Sequence, residues 1–223
     1  MFLLAALWLL WHEHGGFLDA FSYGTFSAPT VVIDPGHGGE DGGAVSPEGI
    51  EESGINLSVS LRVRDIMRLC GQKTVMTREE DVSTGDSTLP TVKQRKASDI
   101  RARVALVNSI PGAVLISIHQ NSLPSSPVTH GAQAFWNHDG ETLTKLIQSA
   151  LNEQINAGNP KQPREMDSGV YLMRNANVPG VLVECGFLSN FAETMQLLEP
   201  SRQKELALSI TAGYLRYLSG EQP

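Results

Sequence analysis

The chain has 223 residues, 41% hydrophobic and 18% charged, which suits a globular domain with a sizeable core rather than a disordered or fibrous chain. A net charge of −7 argues against nucleic acid as a partner, because a phosphate-binding surface shows basic clusters or a high pI. Two cysteines are too few for a sulfur-based zinc site, and Cys70 and Cys185 are read as buried free thiols ending a helix and a strand.

Residues 1–11, MFLLAALWLLW, form an unbroken apolar run. A membrane-spanning helix needs about 20 such residues, whereas a signal-peptide core is this short. No Lys or Arg precedes the run and no clear small-x-small site follows it. It reads as an export signal or the remnant of a membrane anchor, with Trp8 and Trp11 suited to a membrane interface. A buried first helix is the alternative. Any membrane contact is therefore expected through this segment alone, with the rest of the chain outside the cytoplasmic membrane. Residues 12–30 have no period and read as a linker, so the expected organisation is 1–30 followed by a single domain over 31–220.

From Val31 onward short β-branched runs alternate with helical patterns. The runs Val31–Ile33, Thr74–Thr77, Ala113–Ile118, Ala132–Trp136, Gly169–Met173 and Val181–Val183 are bounded by turn residues and predict strands. Residues 52–70 alternate like a strand, yet Ile55, Val59, Val63, Ile66 and Cys70 also form a helical seam; length decides for a helix stopped at Gly71. Residues 79–98 have no period and read as a long loop, of the kind that is functional or disordered. Ile100, Val104 and Val107 mark a helix, as do Leu143, Leu146, Ile147, Ala150 and Leu151. Asn190 and Glu193 have the spacing of an N-cap and its capping-box partner, and Leu206, Ile210, Tyr214 and Tyr217 mark the last helix. Together these predict a single three-layer α/β domain: a largely parallel or mixed sheet of about six strands with helices on both faces.

Chemistry-bearing residues stand at the ends of those strands. DPGH with His37 follows VVI, His119 ends LISI, and Glu184 ends VLV. Ligands of open α/β sheets bind outside the carboxyl ends of the strands, so these side chains should share one rim. Glu52 opens the first helix after a glycine-rich loop, where the helix dipole favours a carboxylate. Two imidazoles and one carboxylate make a catalytic zinc set, and a second, free carboxylate is what a hydrolase needs as general base. Each residue alone has a plainer reading: a tight turn, a core histidine, a helix-capping glutamate. Glu184 resists it, since a buried carboxylate without a partner is costly. His12, His14, His130 and His138 lack this context and read as surface or loop residues.

The segments VVIDPGHGGEDGGA, EESGINLSVSL, VMTREED, RVALVNS, AVLISIHQNS and GVYLMRNANVPGVLVECGFLSN, with the closing helix, span about residues 31–218. They resemble the zinc-dependent N-acetylmuramoyl-L-alanine amidases of bacterial cell walls, the type-3 amidases. The resemblance implies that His37, Glu52 and His119 hold one Zn²⁺ ion, that Glu184 is catalytic, and that the partner is peptidoglycan. Glu52 rather than Glu51 matches, because the family's glutamate lies four residues before the Asn-Leu pair, here Asn56-Leu57. The following residue is often lysine in the family and is Ser53 here. The wording KQRKASDIRAR and VECGFLSN resembles the spore-cortex members involved in germination. Some relatives carry a long inserted helix that plugs the site; this chain has room only for the helix near 141–157 and a short loop. An activating protein partner is left open. The rival readings are another zinc hydrolase of the same polymer, a carboxypeptidase or deacetylase, and a non-catalytic wall-binding or regulatory protein. Arg78, Asn121 and Arg174 are secondary candidates for contacts behind the metal or with substrate.

Overall fold

A computed structural model describes residues 28–137, 139–167 and 169–223. Readings that fall on residues 1–27 and on His138 lie outside them. The strands are β1 (Val31–Pro35), β2 (Thr74–Met76), β3 (Val114–Asn121), β4 (Gln133–Asn137), β5 (Arg164–Glu165) and β6 (Gly180–Phe187). The helices are α1 (Glu52–Leu69), α2 (Val92–Asn108), α3 (Glu141–Gln154), α4 (Tyr171–Asn175), α5 (Phe191–Leu198) and α6 (Pro200–Leu218). The strands form one mixed sheet in the order β2-β1-β3-β6-β4-β5, with β4 antiparallel to β6 and the other pairs parallel.

Continuous apolar strands need cover on both faces, and side-chain alternation assigns the cover. Val31, Ile33, Ile116, Ile118, Val181 and Val183 point into a core shared with α1, α3 and α6. Val32, Leu115 and Leu182 point the other way, into a smaller core with α2 and α4. On α1 the stripe Ile55, Val59, Val63 and Met67 is buried, and Gly71 ends the helix region with φ of 77°. Burying each such side chain contributes about 1.5–3 kcal/mol.

Three expectations are corrected. Gly169–Met173 is not a strand: Tyr171–Asn175 is a one-turn helix whose adjacent Leu172 and Met173 both sink into the smaller core. Five residues are too few for period to separate the two states. The sixth strand is instead Arg164–Glu165, two exposed polar residues on the sheet edge that carry no apolar signal. The loop from Glu79 ends early, because Thr91 and Gln94 form a reciprocal capping box that starts α2 at Val92. Its remainder is tied down, with Thr84 N–H donating to Asp99 Oδ1 and Arg95 Nη1 donating to Leu89 O. Finally, Cys70 is exposed at the C-cap of α1, while Cys185 is buried as expected.

Asn190 does cap α5, accepting from Glu193 N–H. Glu193 does not return the bond. Its carboxylate accepts from Gly131 N–H and Phe187 N–H, each at 2.8 Å, and so staples β4 to the end of β6.

Candidate metal centre

β1 delivers the chain into the DPGHGG turn at the carboxyl rim of the sheet. Asp34, 1% exposed, pins three strand ends there. Its Oδ1 accepts from Thr77 Oγ1 at 2.7 Å and Arg103 Nη1 at 2.9 Å, and its Oδ2 accepts from Ser117 Oγ at 2.7 Å. Burial pushes this carboxyl up, but the Arg103 charge and the two hydroxyls outweigh it and hold the pKa below the usual range.

His37 follows with φ of 61°, the only non-glycine residue in the left-handed region among the described residues. Side chains rarely adopt that conformation, at a cost of about 1–3 kcal/mol, so the surroundings must enforce it. Two glycines let the backbone close on the ligands. A Cβ on Gly36 would run into the His119 ring, and one on Gly43 would run into the Glu52 side chain and lie 2.8 Å from His37 Cδ2.

Glu52 is the first residue of α1, and its Oε2 accepts from Ala44 N–H at 2.8 Å. Its Oε1 lies 3.0 Å from His37 Nε2 and 3.1 Å from His119 Nδ1, and accepts from Asn56 Nδ2 at 3.1 Å. Asn56 is held in turn by Gln120 and donates as well to Gly36 O. One ligand atom from each of His37, Glu52 and His119 lies within 4.8 Å of the others. Two ring nitrogens and a carboxylate oxygen facing one point are the donor set that zinc prefers, with a position left open. The ring of His37 is set by Asp41, whose Oδ2 is 2.9 Å from Nδ1 and whose Oδ1 accepts from Lys96 Nζ at 2.6 Å. That carboxylate holds the Nδ1 end of the ring and so aims Nε2 at the site, where it faces Glu52 Oε1 in the metal-free fold.

The charges follow from these contacts. Burial would lower the His37 pKa, but hydrogen bonds to Asp41 and Glu52 raise it to about 9. Burial would raise that of Glu52, but the two histidines hold it well below the usual carboxylate range. Asp41 is lowered by its bond to His37.

Glu184 stands opposite His119 in the β3–β6 register. Its Oε2 is enclosed and has no hydrogen-bond partner, and burial pushes its pKa up to about 7. His37, His119 and Glu184 line one cavity of about 360 Å³, bordered by Lys96 and by Ile100, Val170, Leu172 and Leu182. The four residues singled out from the sequence thus meet at one rim. Of the secondary candidates, Arg78 lies directly behind the DPGH turn. Asn121 uses its side chain locally, on Ser122 N–H, and Arg174 stacks over Tyr171 on α4 and borders a different cavity. His130 is exposed.

Residues 31–216 match the N-acetylmuramoyl-L-alanine amidase family known as Amidase_3. The chain belongs to this family. Over its whole length it is 38% identical to the germination-specific N-acetylmuramoyl-L-alanine amidase of Bacillus subtilis, spanning 96% of that protein. Its fold is similar to that of the CwlD amidase from Clostridioides difficile, solved in complex with the GerS lipoprotein, with a TM-score of 0.83 and 31% identity over 86% of this chain and 100% of that one. It is also similar to the amidase AmiC2 of Nostoc punctiforme, with a TM-score of 0.72 and 27% identity over 86% and 97% of the two chains. The amidase is a zinc enzyme that hydrolyses the amide between N-acetylmuramic acid and L-alanine in peptidoglycan, with one two-histidine, one-glutamate metal site. This replaces the carboxypeptidase, deacetylase and non-catalytic readings.

Proposed function

We propose that His37, Glu52 and His119 are the zinc ligands, that Glu184 is the proton-transferring group, and that the substrate is spore-cortex peptidoglycan during germination. The observation that carries the reading is the meeting of three ligand atoms within 4.8 Å beside a carboxyl whose buried oxygen has no partner. When bound, zinc supplies Lewis acidity that polarises the scissile carbonyl and acidifies the attacking water. Glu184 takes the proton of that water at its unpartnered oxygen and delivers it to the departing nitrogen of L-alanine. Burial raises this carboxyl's pKa in the metal-free fold, and its unpartnered oxygen is free to take up and release a proton. The apolar wall of Ile100, Val170, Leu172 and Leu182 excludes bulk water from one side of the cavity.

The germination role rests on similarity to the Bacillus subtilis enzyme. The lipoprotein bound to the Clostridioides difficile relative supports an activating partner for this chain too. Residues 1–30 serve export or anchoring, which places the domain over 31–220 on the outer side of the membrane.

Mass spectrometry of muropeptides tests the reading. Zinc-loaded protein should release peptides with a free L-alanine amine, and chelator-stripped protein should not. Preference for cortex over vegetative sacculi supports the germination role; equal release from both removes that role and leaves the amidase activity standing.

A further inference from the structure

Two arginines lie buried beside the metal centre, Arg78 behind the turn and Arg103 in the wall of the site cavity, and both bind the turn through its backbone. The side chain of Arg78 is 0% exposed and that of Arg103 is 2% exposed. Between them they bind three consecutive carbonyls of the turn. Arg78 Nε and Arg103 Nη1 donate to Pro35 O at 3.0 and 2.7 Å. Arg78 Nη2 donates to Gly36 O at 3.0 Å, and Arg103 Nη2 donates to His37 O at 2.6 Å. Arg78 also donates to Ser53 O at 2.9 Å, next to Glu52, and to Glu80 O.

A buried cation is expensive and needs compensation. Arg103 has it, in Asp34 and in Asp99, whose Oδ2 accepts from Nε at 2.8 Å. Arg78 has mainly carbonyl oxygens, with Asp81 only at 4.0 Å. The carbonyls they hold flank the one strained non-glycine residue described, His37. Inward carbonyls of a left-handed turn have no helix or sheet partner, and a planar guanidinium can serve several at once where a lysine ammonium cannot.

We propose that Arg78 and Arg103 are positioning residues, a guanidinium clamp that holds the His37 backbone in its left-handed conformation so that Nε2 faces the metal. The ring is fixed at one end by Asp41 and the backbone at the other by the clamp. The proposal rests on His37 being a zinc ligand, and its test separates the two.

Zinc affinity is measured by competition with a chromogenic chelator, and ligand geometry by the visible absorption of the Co²⁺-substituted protein. Arg103→Lys keeps the charge and loses the fork. It should weaken zinc binding about 10–100-fold, the scale seen when a group that orients a ligand is removed, and alter the Co²⁺ bands. Leu151→Ala, buried on the opposite face of the sheet, is the control for general destabilisation. It should lower the melting temperature and leave affinity and spectrum unchanged. If Arg103→Lys does not fold, Arg78→Lys carries the same expectation through Pro35 O and Gly36 O. Wild-type affinity and spectrum in the folded lysine variant overturn the clamp. His37→Ala is run alongside: loss of zinc there, with wild-type binding in the lysine variant, spares the ligand assignment and sinks only the clamp. Unchanged zinc in His37→Ala removes the ligand and the clamp together.

Discussion

Glu184→Gln is expected to move activity and stability in opposite directions. The swap is isosteric, so the three ligand residues keep their places. Positioned proton transfer contributes about 10²–10⁴-fold, or about 2.7–5.4 kcal/mol of barrier, and the amide forfeits it. Stability runs the other way. In the metal-free fold the carboxyl has its pKa at about 7 against an ordinary 4.5, because burial penalises its charged form. At pH 7 the unfolded chain ionises freely and the folded one only in part, a penalty of about 3 kcal/mol. Since the folded state holds the proton more tightly, stability falls as pH rises from 4.5 to 7. The glutamine variant lacks this contribution, and the slope left above pH 6.5 is that of His37, whose folded pKa is raised to about 9. Turnover on purified peptidoglycan, zinc content, and urea unfolding of the chelated protein between pH 5 and 8 are the three measurements. Full turnover, or an unfolding profile with the wild-type pH slope, would refute the reasoning.

His119→Ala removes one of the three converging donors, and bound zinc should fall sharply by elemental analysis; unchanged content counts against the ligand set. Asp41→Asn keeps the shape beside His37 Nδ1 but loses the charge that Lys96 also uses, and should weaken zinc binding about 10–100-fold. A chelator titration that matches wild type would show that Asp41 does not orient the ring. Asp34→Asn leaves Arg103 buried with half its counter-charge and should cost about 3–5 kcal/mol in urea unfolding. The Asp34 pKa is depressed in the fold, so its stabilisation is complete above the ordinary value of 3.8 and is lost as pH falls through the lower folded value. The variant's acid-unfolding limb should accordingly be shallower, and an unchanged limb would assign that transition to other carboxylates.

His37, His119 and Glu184 were legible in the sequence because each follows an apolar, β-branched run. VVI, LISI and VLV read as buried strands of a covered sheet whose ends share one rim; the structure adds their order, with β3 and β6 parallel neighbours that put His119 and Glu184 level with each other. Glu52 was legible for a different reason, as an acid at a helix start after a glycine loop. Of the supporting residues Arg78 was singled out, and the others were not. Arg103 lies within a helix whose sequence is polar on most sides, and nothing in its spacing says that its fork reaches Pro35 and His37. Asp41 stands four residues from His37, a spacing that in a glycine-rich turn carries no fixed direction. Asn56 marked the register of the glutamate, but its spacing one helical turn on does not say that its amide donates to Glu52 Oε1 rather than turning to solvent. The edge strand Arg164–Glu165 and the helix Tyr171–Asn175 were too short for any periodic signal.

The features that oppose folding gather at one place. His37 is held at positive φ, Arg78 is a cation enclosed among carbonyls, and Glu184 carries an oxygen with no partner. All lie on the carboxyl rim of the sheet. The apolar residues of α1, α3 and α6 pack one face of the sheet away from that rim and contribute most of the buried core. This division has a mechanical consequence. The sheet sets the His119 and Glu184 backbones as the last pair of the β3–β6 ladder before its register shifts, and the DPGH turn and the start of α1 are enforced separately. That is where Asp34, Asn56 and the two arginines are spent. Metal affinity should therefore respond to changes behind the turn, while changes in the α3–α6 core should move the melting temperature alone.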